Sequence, residues 1–364
     1  MHTNTLRKSL HIIWAIAAKD IGDAFKNKVI WSTIVMVILM VAFYKAMPII
    51  TGMAHLPEVD IYDAGQSALT TYLENSPNLE ARRVASQERM AFFIALEGVP
   101  ALGLVIPPGF DEQLAGGDPI ALDGYMQYWV SDAAAEELKA QVEQEIAVQT
   151  GQTVRINLEG HRVYPTLGSM GPHSWAALAI TLMLVALGTG LTPQLMFEEK
   201  RSHTLDALLI SPARSGHVVA GKAIAGLVYC LIGAVVLFAF NAALIVQWGF
   251  AILATALGAL LAVAIGLLFG VTLQTHQSLR MLTLAMIVPL FVLPVSVSFM
   301  SMDLLSSVNA VVRWFPSVGL SRLFIMSMTD SAPFAEWGPD IALVFGTTAI
   351  LLVIVAWCIR RSDR

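Results

Sequence analysis

The sequence predicts a polytopic α-helical membrane protein of six transmembrane helices, with an α/β extracytoplasmic domain inserted after the first. Three observations carry that prediction. Of 364 residues only 13% are charged and 56% are hydrophobic, where a soluble domain carries about 25% charged residues. Six apolar runs reach the roughly 20 residues needed to cross a bilayer. Between the first two runs, residues 51–172 take on the texture of a soluble domain, with 17 acidic and 6 basic residues.

The runs are Val29–Ile50, Trp175–Phe197, Ala223–Trp248, Phe250–Leu273, Met281–Met302 and Ile341–Ile359. Lys45, near the outer end of the first, can extend its ammonium to the headgroups. That run starts too late and is too long for a signal-peptide core, and no clear small-x-small cleavage site follows it. Basic residues set the orientation. Six crossings put the N-terminus, 198–222, 274–280 and the C-terminus on one side, and these hold 13 of the 22 Lys and Arg residues. Both termini are therefore expected in the cytoplasm, in a multi-pass protein of the bacterial inner membrane. Residues 1–28 precede the first span, 51–172 lie outside, and 173–364 form a five-helix block.

Within 51–172, strand and helix patterns alternate, which argues a small α/β fold. "EVDIYD", "LEARRV", "ALGLVIPPGF", "ALDGYMQYWV" and "TVRINLEGHRVY" read as strands. "QSALTTYLEN", "QERMAFFIALEG" and "DEQLAGG" read as helices, and so does "DAAAEELKAQVEQEIAVQTG", capped by Asp132 and stopped by Gly151. Both cysteines, Cys230 and Cys358, fall in spans, so the domain folds without disulfides. His161 and His173 flank it without metal-ligand spacing, and neither H-E-x-x-H nor G-x-S-x-G occurs. No catalytic residue and no metal site is expected.

"GHVVAGKA", residues 216–223, approaches the nucleotide-binding pattern G-x-x-x-x-G-K-[ST] but has Ala223 where a hydroxyl would hold magnesium. A true phosphate loop follows a buried strand, whereas this one follows Ser211-Pro212 and runs into an apolar span. It reads as a turn at the membrane surface, with Gly216 allowing the bend and Lys222 anchored at the headgroups. No complete phosphate loop occurs elsewhere, so no cofactor is expected in this chain.

The wider stretch "FEEKRSHTLDALLISPARSGHVVAGK", residues 197–222, resembles the signature of ABC-2 type transporter permeases, the membrane subunits of ATP-driven exporters. The match rests on Glu198-Glu199-Lys200-Arg201, Thr204-Leu205-Asp206, Leu208-Leu209, Ser211-Pro212 and Gly221-Lys222. Ser202-His203 departs from it where a glycine is common. "AAKDIGDAFKNKVIW" resembles the family's N-terminal interfacial amphipathic helix, with Lys19-Asp20 in place of Lys-Glu. "ALGLVIPPGFDEQLAGG" is similar to the outer domain of the subgroup with a large insertion after the first span, and "WFPSVGLSRLF" to the segment before the last span.

Leu205, Leu208 and Leu209 share one helical face, and Pro212 limits the helix to about two turns. Such a helix needs a partner to be stable. The resemblance implies that 203–211 is a coupling helix docked on a separate ATPase subunit that holds ATP and magnesium. The implied interface is Glu198, Glu199, Lys200, Arg201, Thr204, Leu205, Asp206, Leu208, Leu209, Pro212 and Lys222. The resemblance further implies a dimer with a second copy or a homologous permease. Spans two and five would line the substrate pathway at Thr181, Leu184, Met286, Pro289 and Phe291. A re-entrant segment would occupy 303–340 between the last two spans, as two short helices broken around Pro316, with Pro316 and Arg322 at an outer gate. Expected partners are thus the ATPase, another permease, the lipid bilayer and a periplasmic or outer-membrane protein, with no nucleic acid.

Other features of the spans read as packing. Gly258, Ala262, Gly266 and Gly270 form a small-residue stripe. Asn241, Gln194 and Gln274 are expected to make interhelical hydrogen bonds, and Pro289 and Pro294 to kink the fifth span. The runner-up reading is a membrane-anchored receptor or assembly scaffold, although five packed spans exceed what an anchor needs. An ATP-independent transporter ranks third. It would pair charges inside the membrane or show repeat halves, and the sequence displays neither.

Overall fold

The computed structural model describes residues 2–24, 31, 32, 35, 39, 56–116, 120–165, 171–201, 215–273, 275–299, 306–331 and 333–362. The expected first span, apart from four positions, and the expected coupling helix lie outside the described residues.

An N-terminal helix α1 (His2–Ala24) comes first. The inserted domain then runs β1 (Glu58–Asp63), α2 (Ala68–Glu74), β2 (Glu80–Val84), α3 (Gln87–Leu96), β3 (Ala101–Ile106), α4 (Phe110–Gly116), β4 (Ile120–Gln127), α5 (Asp132–Thr150), β5 (Val154–Asn157) and β6 (Arg162–Val163). The strand order is β2-β1-β3-β4-β5, with β6 also on β4. β1 is parallel to both neighbours, β3 and β4 are antiparallel, and β5 and β6 are parallel to β4. The wholly nonpolar "ALGLVI" of β3 lies inside the sheet and is buried at five of six positions, as a strand covered on both faces requires. Leu69 and Leu73 of α2 and Val142 and Ile146 of α5 cover one face with Leu102, Leu104 and Leu122. Met90 and Ile94 of α3 cover the other with Val84 and Val163.

Two local expectations are corrected. Ser131, not Asp132, caps α5, accepting from the Ala134 amide, which frees Asp132 to pair with Arg162 at 2.5 Å. "TVRINLEGHRVY" is not one strand. β5 leaves β4 at Asn157, turns through Gly160 (φ 77°), and rejoins as β6 opposite Met126 and Gln127. Gly151 ends α5 in the left-handed region, as the sequence predicts.

The remaining chain is helical: α6 (Pro172–Arg201), α7 (Ser215–Asn241), α8 (Trp248–Thr272), α9 (His276–Ile287), a π-helical turn (Val288–Val292), α10 (Leu293–Phe299), α11 (Ser306–Val312), α12 (Pro316–Met326) and α13 (Phe334–Ser362). Five stretches among the described residues are long and apolar enough to span a membrane: Pro172–Phe197, Gly216–Leu244, Trp248–Thr272, Gln277–Ser298 and Phe334–Arg361. α6 and α8 form the centre, with 67% of each span window buried against 17% in α13. The small-residue stripe of α8 is the reason. A Cβ on Gly266 would sit 2.1 Å from the Gly188 carbonyl oxygen of α6, and one on Gly258 would meet Leu320 and Leu184.

Two short helices, α11 and α12, stand where a broken pair is expected, with Pro316 as the first residue of α12. α13 begins at Phe334, ahead of the expected Ile341, so Glu336 and Asp340 belong to the last long helix. Asn241 makes no interhelical bond of the expected kind among the described residues; its Nδ2 donates to Leu237 O of the same helix at 2.9 Å.

The inserted domain is tied to the bundle at one end. Tyr128, just past β4, donates from its hydroxyl to Leu244 O in the α7–α8 turn at 2.8 Å. Its ring stacks on Tyr164, and burial pushes its phenol well above the usual range. The same end carries Ser327 O, which accepts from the Val246 and Gln247 amides.

Candidate functional site

At the other end of α7 lies α1. Ile16, Ala17 and Asp20 are its buried stripe, at the i, i+1, i+4 positions that share a helical face. The stripe meets α7 at Gly221, where a Cβ would stand 2.7 Å from Ile16 Cγ2 and 3.1 Å from Ile13 O. Only a residue without a side chain lets the two backbones approach this closely. One position on, Lys222 Nζ donates to Asp20 Oδ2 at 2.9 Å, with the two side chains only 1% and 7% exposed. The Tyr229 hydroxyl donates to the Asp20 carbonyl oxygen. The glycine and lysine of the near phosphate loop thus serve as a helix dock. The expectation that Lys222 reaches for the headgroups is corrected: its ammonium turns inward to a carboxylate. A lysine buried to this degree needs such a partner, since desolvating a lone charge costs several kcal/mol.

This dock and the Tyr128–Leu244 contact bracket α7. The 22 steps from Lys222 to Leu244 span about 33 Å at 1.5 Å per residue, close to the hydrocarbon thickness of a bilayer. α1 and the inserted domain therefore lie at opposite ends of one spanning helix.

A second buried pair joins α12 to α13: Arg322 Nε donates to Asp340 Oδ2 at 2.8 Å, with Asp340 2% exposed. The expectation that this chain lacks paired charges among its apolar helices is thus overturned twice. Both pairs lie near helix starts, Lys222 in α7 and Asp340 in α13, and not at mid-span.

The fifth span carries a π-turn for a reason visible in its sequence. Pro289 and Pro294 supply no amide hydrogen. The Leu290 carbonyl, whose α-helical donor would be residue 294, instead accepts from Ser317 Oγ at 2.7 Å. Leu293 N donates to Val288 O, the i to i+5 bond of a π-helix. Ser317, next to Pro316, thereby fastens the start of α12 to the break in the fifth span.

The residues expected along a substrate pathway divide. Thr181 and Leu184 are fully buried in the bundle core, and Thr181 Oγ1 has no hydrogen-bond partner among the described residues. Met286 is half-buried beside Phe197 and Phe269, Phe291 is buried, and Pro289 is exposed. Glu198, Glu199, Lys200 and Arg201 form the last turn of α6. Thr204, Leu205, Asp206, Leu208, Leu209 and Pro212 lie outside the described residues. Sequence reasoning missed Asp20, Asp340 and Ser317 as partners. The available signals were an acid on the apolar face of α1 and a proline-orphaned carbonyl in the fifth span.

No group of three or more His, Cys, Asp or Glu side chains among the described residues could hold a metal ion. The sequence profile of the family described as "ABC-2 family transporter protein" matches residues 28–357. The chain belongs to this ABC-2 transporter family, whose members are membrane transport subunits, not themselves catalytic, and the family implies an ABC ATPase partner. No curated protein matches the chain.

Proposed function

We propose that the chain lines, as a dimer, the substrate pathway of an ATP-driven exporter, and is moved by a separate ATPase chain docked on its cytoplasmic face. The observation that supports this most is the construction of α7. One end, at the close of the 197–222 motif, is clamped to α1 through Gly221, Lys222 and Asp20. The other end meets the inserted domain through Leu244. A push on 203–211 would enter between α6 and α7, and α1 would travel with α7 as one body.

The close α6–α8 crossing would carry that motion across the membrane, and the π-turn at Pro289 offers a deformable point in the fifth span. Pro289 in that turn and Met286 just before it would be pathway residues. Thr181, Leu184 and Phe291 would shape the pathway from behind unless the bundle opens. Pro316 and Arg322 would close the outer end, held by the Arg322–Asp340 pair. ATP and magnesium reside on the partner, with Glu198 to Arg201 and Thr204 to Pro212 as its contact.

Co-purification with the ATPase, followed by measurement of hydrolysis, tests this reading. Leu208→Asp loses the burial of a leucine, roughly 1.5–3 kcal/mol, and places a charge in the docking cleft. ATPase capture and stimulated hydrolysis should both collapse. Assembly and transport at the wild-type rate with Leu208→Asp would remove 203–211 from the coupling path.

A further inference from the structure

The two edges of the inserted sheet are unlike. At β5 the edge is closed, because the Ile156 amide is taken by Glu143 Oε1 of α5 at 2.7 Å. At β2 it is open. Glu80 N donates to Pro57 O at 3.0 Å, so Glu80, Arg82 and Val84 turn their main-chain groups toward β1. The alternation of a strand turns those of Ala81 and Arg83 outward, where no described residue bonds to them. Charged side chains commonly guard such an edge, but here both arginines are drawn back over the sheet. Arg82 reaches Asp60 at 2.8 Å and Glu97 at 3.4 Å. Arg83 lies 3.9 Å from Asp63 and 3.8 Å from Glu74.

We infer that the outer edge of β2 is a docking site for an extended, basic segment of a partner protein, which would join the sheet as a further strand. Main-chain bonds to Ala81 and Arg83 would hold it, and charge would select it. On one face of this edge four carboxyl groups, Glu58, Asp60, Glu80 and Glu97, stand around a single guanidinium, that of Arg82. The crowding shows in Glu58, whose carboxyl is pushed up to about 7 by burial, Glu97 and Glu80. On the other face Arg83 meets two carboxylates, Asp63 and Glu74. Side chains of an added strand alternate between the two faces. Basic residues at every second position would therefore lie beside Glu80, as favourable cross-strand pairs. The same excess of acid argues against a second copy of this chain, since pairing β2 with itself would bring both sets of carboxyl groups together. The edge is also clear of the bundle: β1 and β3 separate it from β4, beyond which Tyr128 is fastened to Leu244.

This inference concerns the inserted domain and does not depend on ATP-driven export, so it stands or falls separately. The full chain in phosphatidylcholine nanodiscs is mixed with the acetylated peptide Thr-Lys-Val-Lys-Val-Lys-Thr, and amide hydrogen exchange is read at single residues. Exchange should slow several-fold at Ala81 and Arg83 and stay unchanged at Val154 to Asn157. The fully N-methylated peptide keeps the charge but cannot form the ladder, and should protect neither amide. The same peptide with Glu in place of Lys should protect neither. Glu80→Lys, at an exposed position, should weaken binding of the basic peptide several-fold. Ala81→Pro removes an outward amide without touching the bonds to β1, and should abolish the protection of Arg83. No protection by the basic peptide, or equal protection by the N-methylated or acidic one, would overturn the proposal. Slow exchange at both amides without peptide, in discs holding two copies but not in discs holding one, would give the edge to a second copy and overturn it equally.

Discussion

Lys222 and Asp20 are 202 positions apart, yet they form one buried pair. Removing either partner leaves the other charge unpaired in the bundle, which costs about 3–5 kcal/mol. Replacing both with apolar groups removes the desolvation penalty along with the attraction. Asp20→Leu and Lys222→Met should therefore each lower the melting temperature of the purified chain, while the double variant recovers most of the loss. Equal or additive losses in thermal melts of all three would mean that the two residues do not interact. Neither wild type nor Ala223→Ser should bind ATP in the absence of the ATPase. Glu58 belongs to a different electrostatic setting. Burial and the charge of Glu97 push its carboxyl up from 4.5 to about 7, and Glu80 stands directly across on β2. Between those two values the folded state keeps a proton that the unfolded state has released, so stability falls as pH rises through this window. Hydrogen exchange of β1 amides in the full chain, corrected for intrinsic rates, should show protection falling from pH 5 to 7. Glu58→Gln should abolish that trend.

The break between α9 and α10 shows how one element depends on another. Ser317→Ala would remove the bond to the Leu290 carbonyl in a part-buried setting, a loss of roughly 1–3 kcal/mol. Pro294→Ala restores an amide at the position that would serve this carbonyl in an α-helix. Added to Ser317→Ala, it should therefore reduce the cost. Thermal melts of the two single variants and the double variant give the coupling, and strict additivity would disprove the link. The regular elements were legible in the sequence where side-chain period alone decides them. β1, β3, β4 and α5 lie where alternation, an apolar run or a Gly151 stop places them, and the Gly258–Gly270 stripe packs as expected. What the sequence hid depends on contacts between distant segments. The Ser131 cap was hidden behind the adjacent Asp132. The dock of α1 needs Gly221 and Ile16 in register, and nothing local to either residue announces it. α13 starts at Phe334 and includes Glu336 and Asp340, and the Arg322–Asp340 pair that accommodates this acid joins segments no local pattern connects.

Taken together, the molecule is a bundle with two unlike ends. α1 and the last turn of α6 belong to one, and the α/β domain, the α7–α8 turn and Ser327 to the other. The near phosphate loop, read locally, suggested a nucleotide or a surface turn; read with the whole bundle, it marks the end at which α1 is fastened. The central claim is that a membrane separates these ends, with α1 on the side where an ATPase can reach it. Accessibility to a membrane-impermeant thiol reagent on intact cells tests this most directly. Cys358→Ser provides the background, since Cys230 is fully buried. Glu136→Cys on the exposed face of α5 should react at once, and Lys19→Cys on α1 only after the cells are permeabilised. Labelling of both positions on intact cells, or of Lys19→Cys alone, would contradict the account.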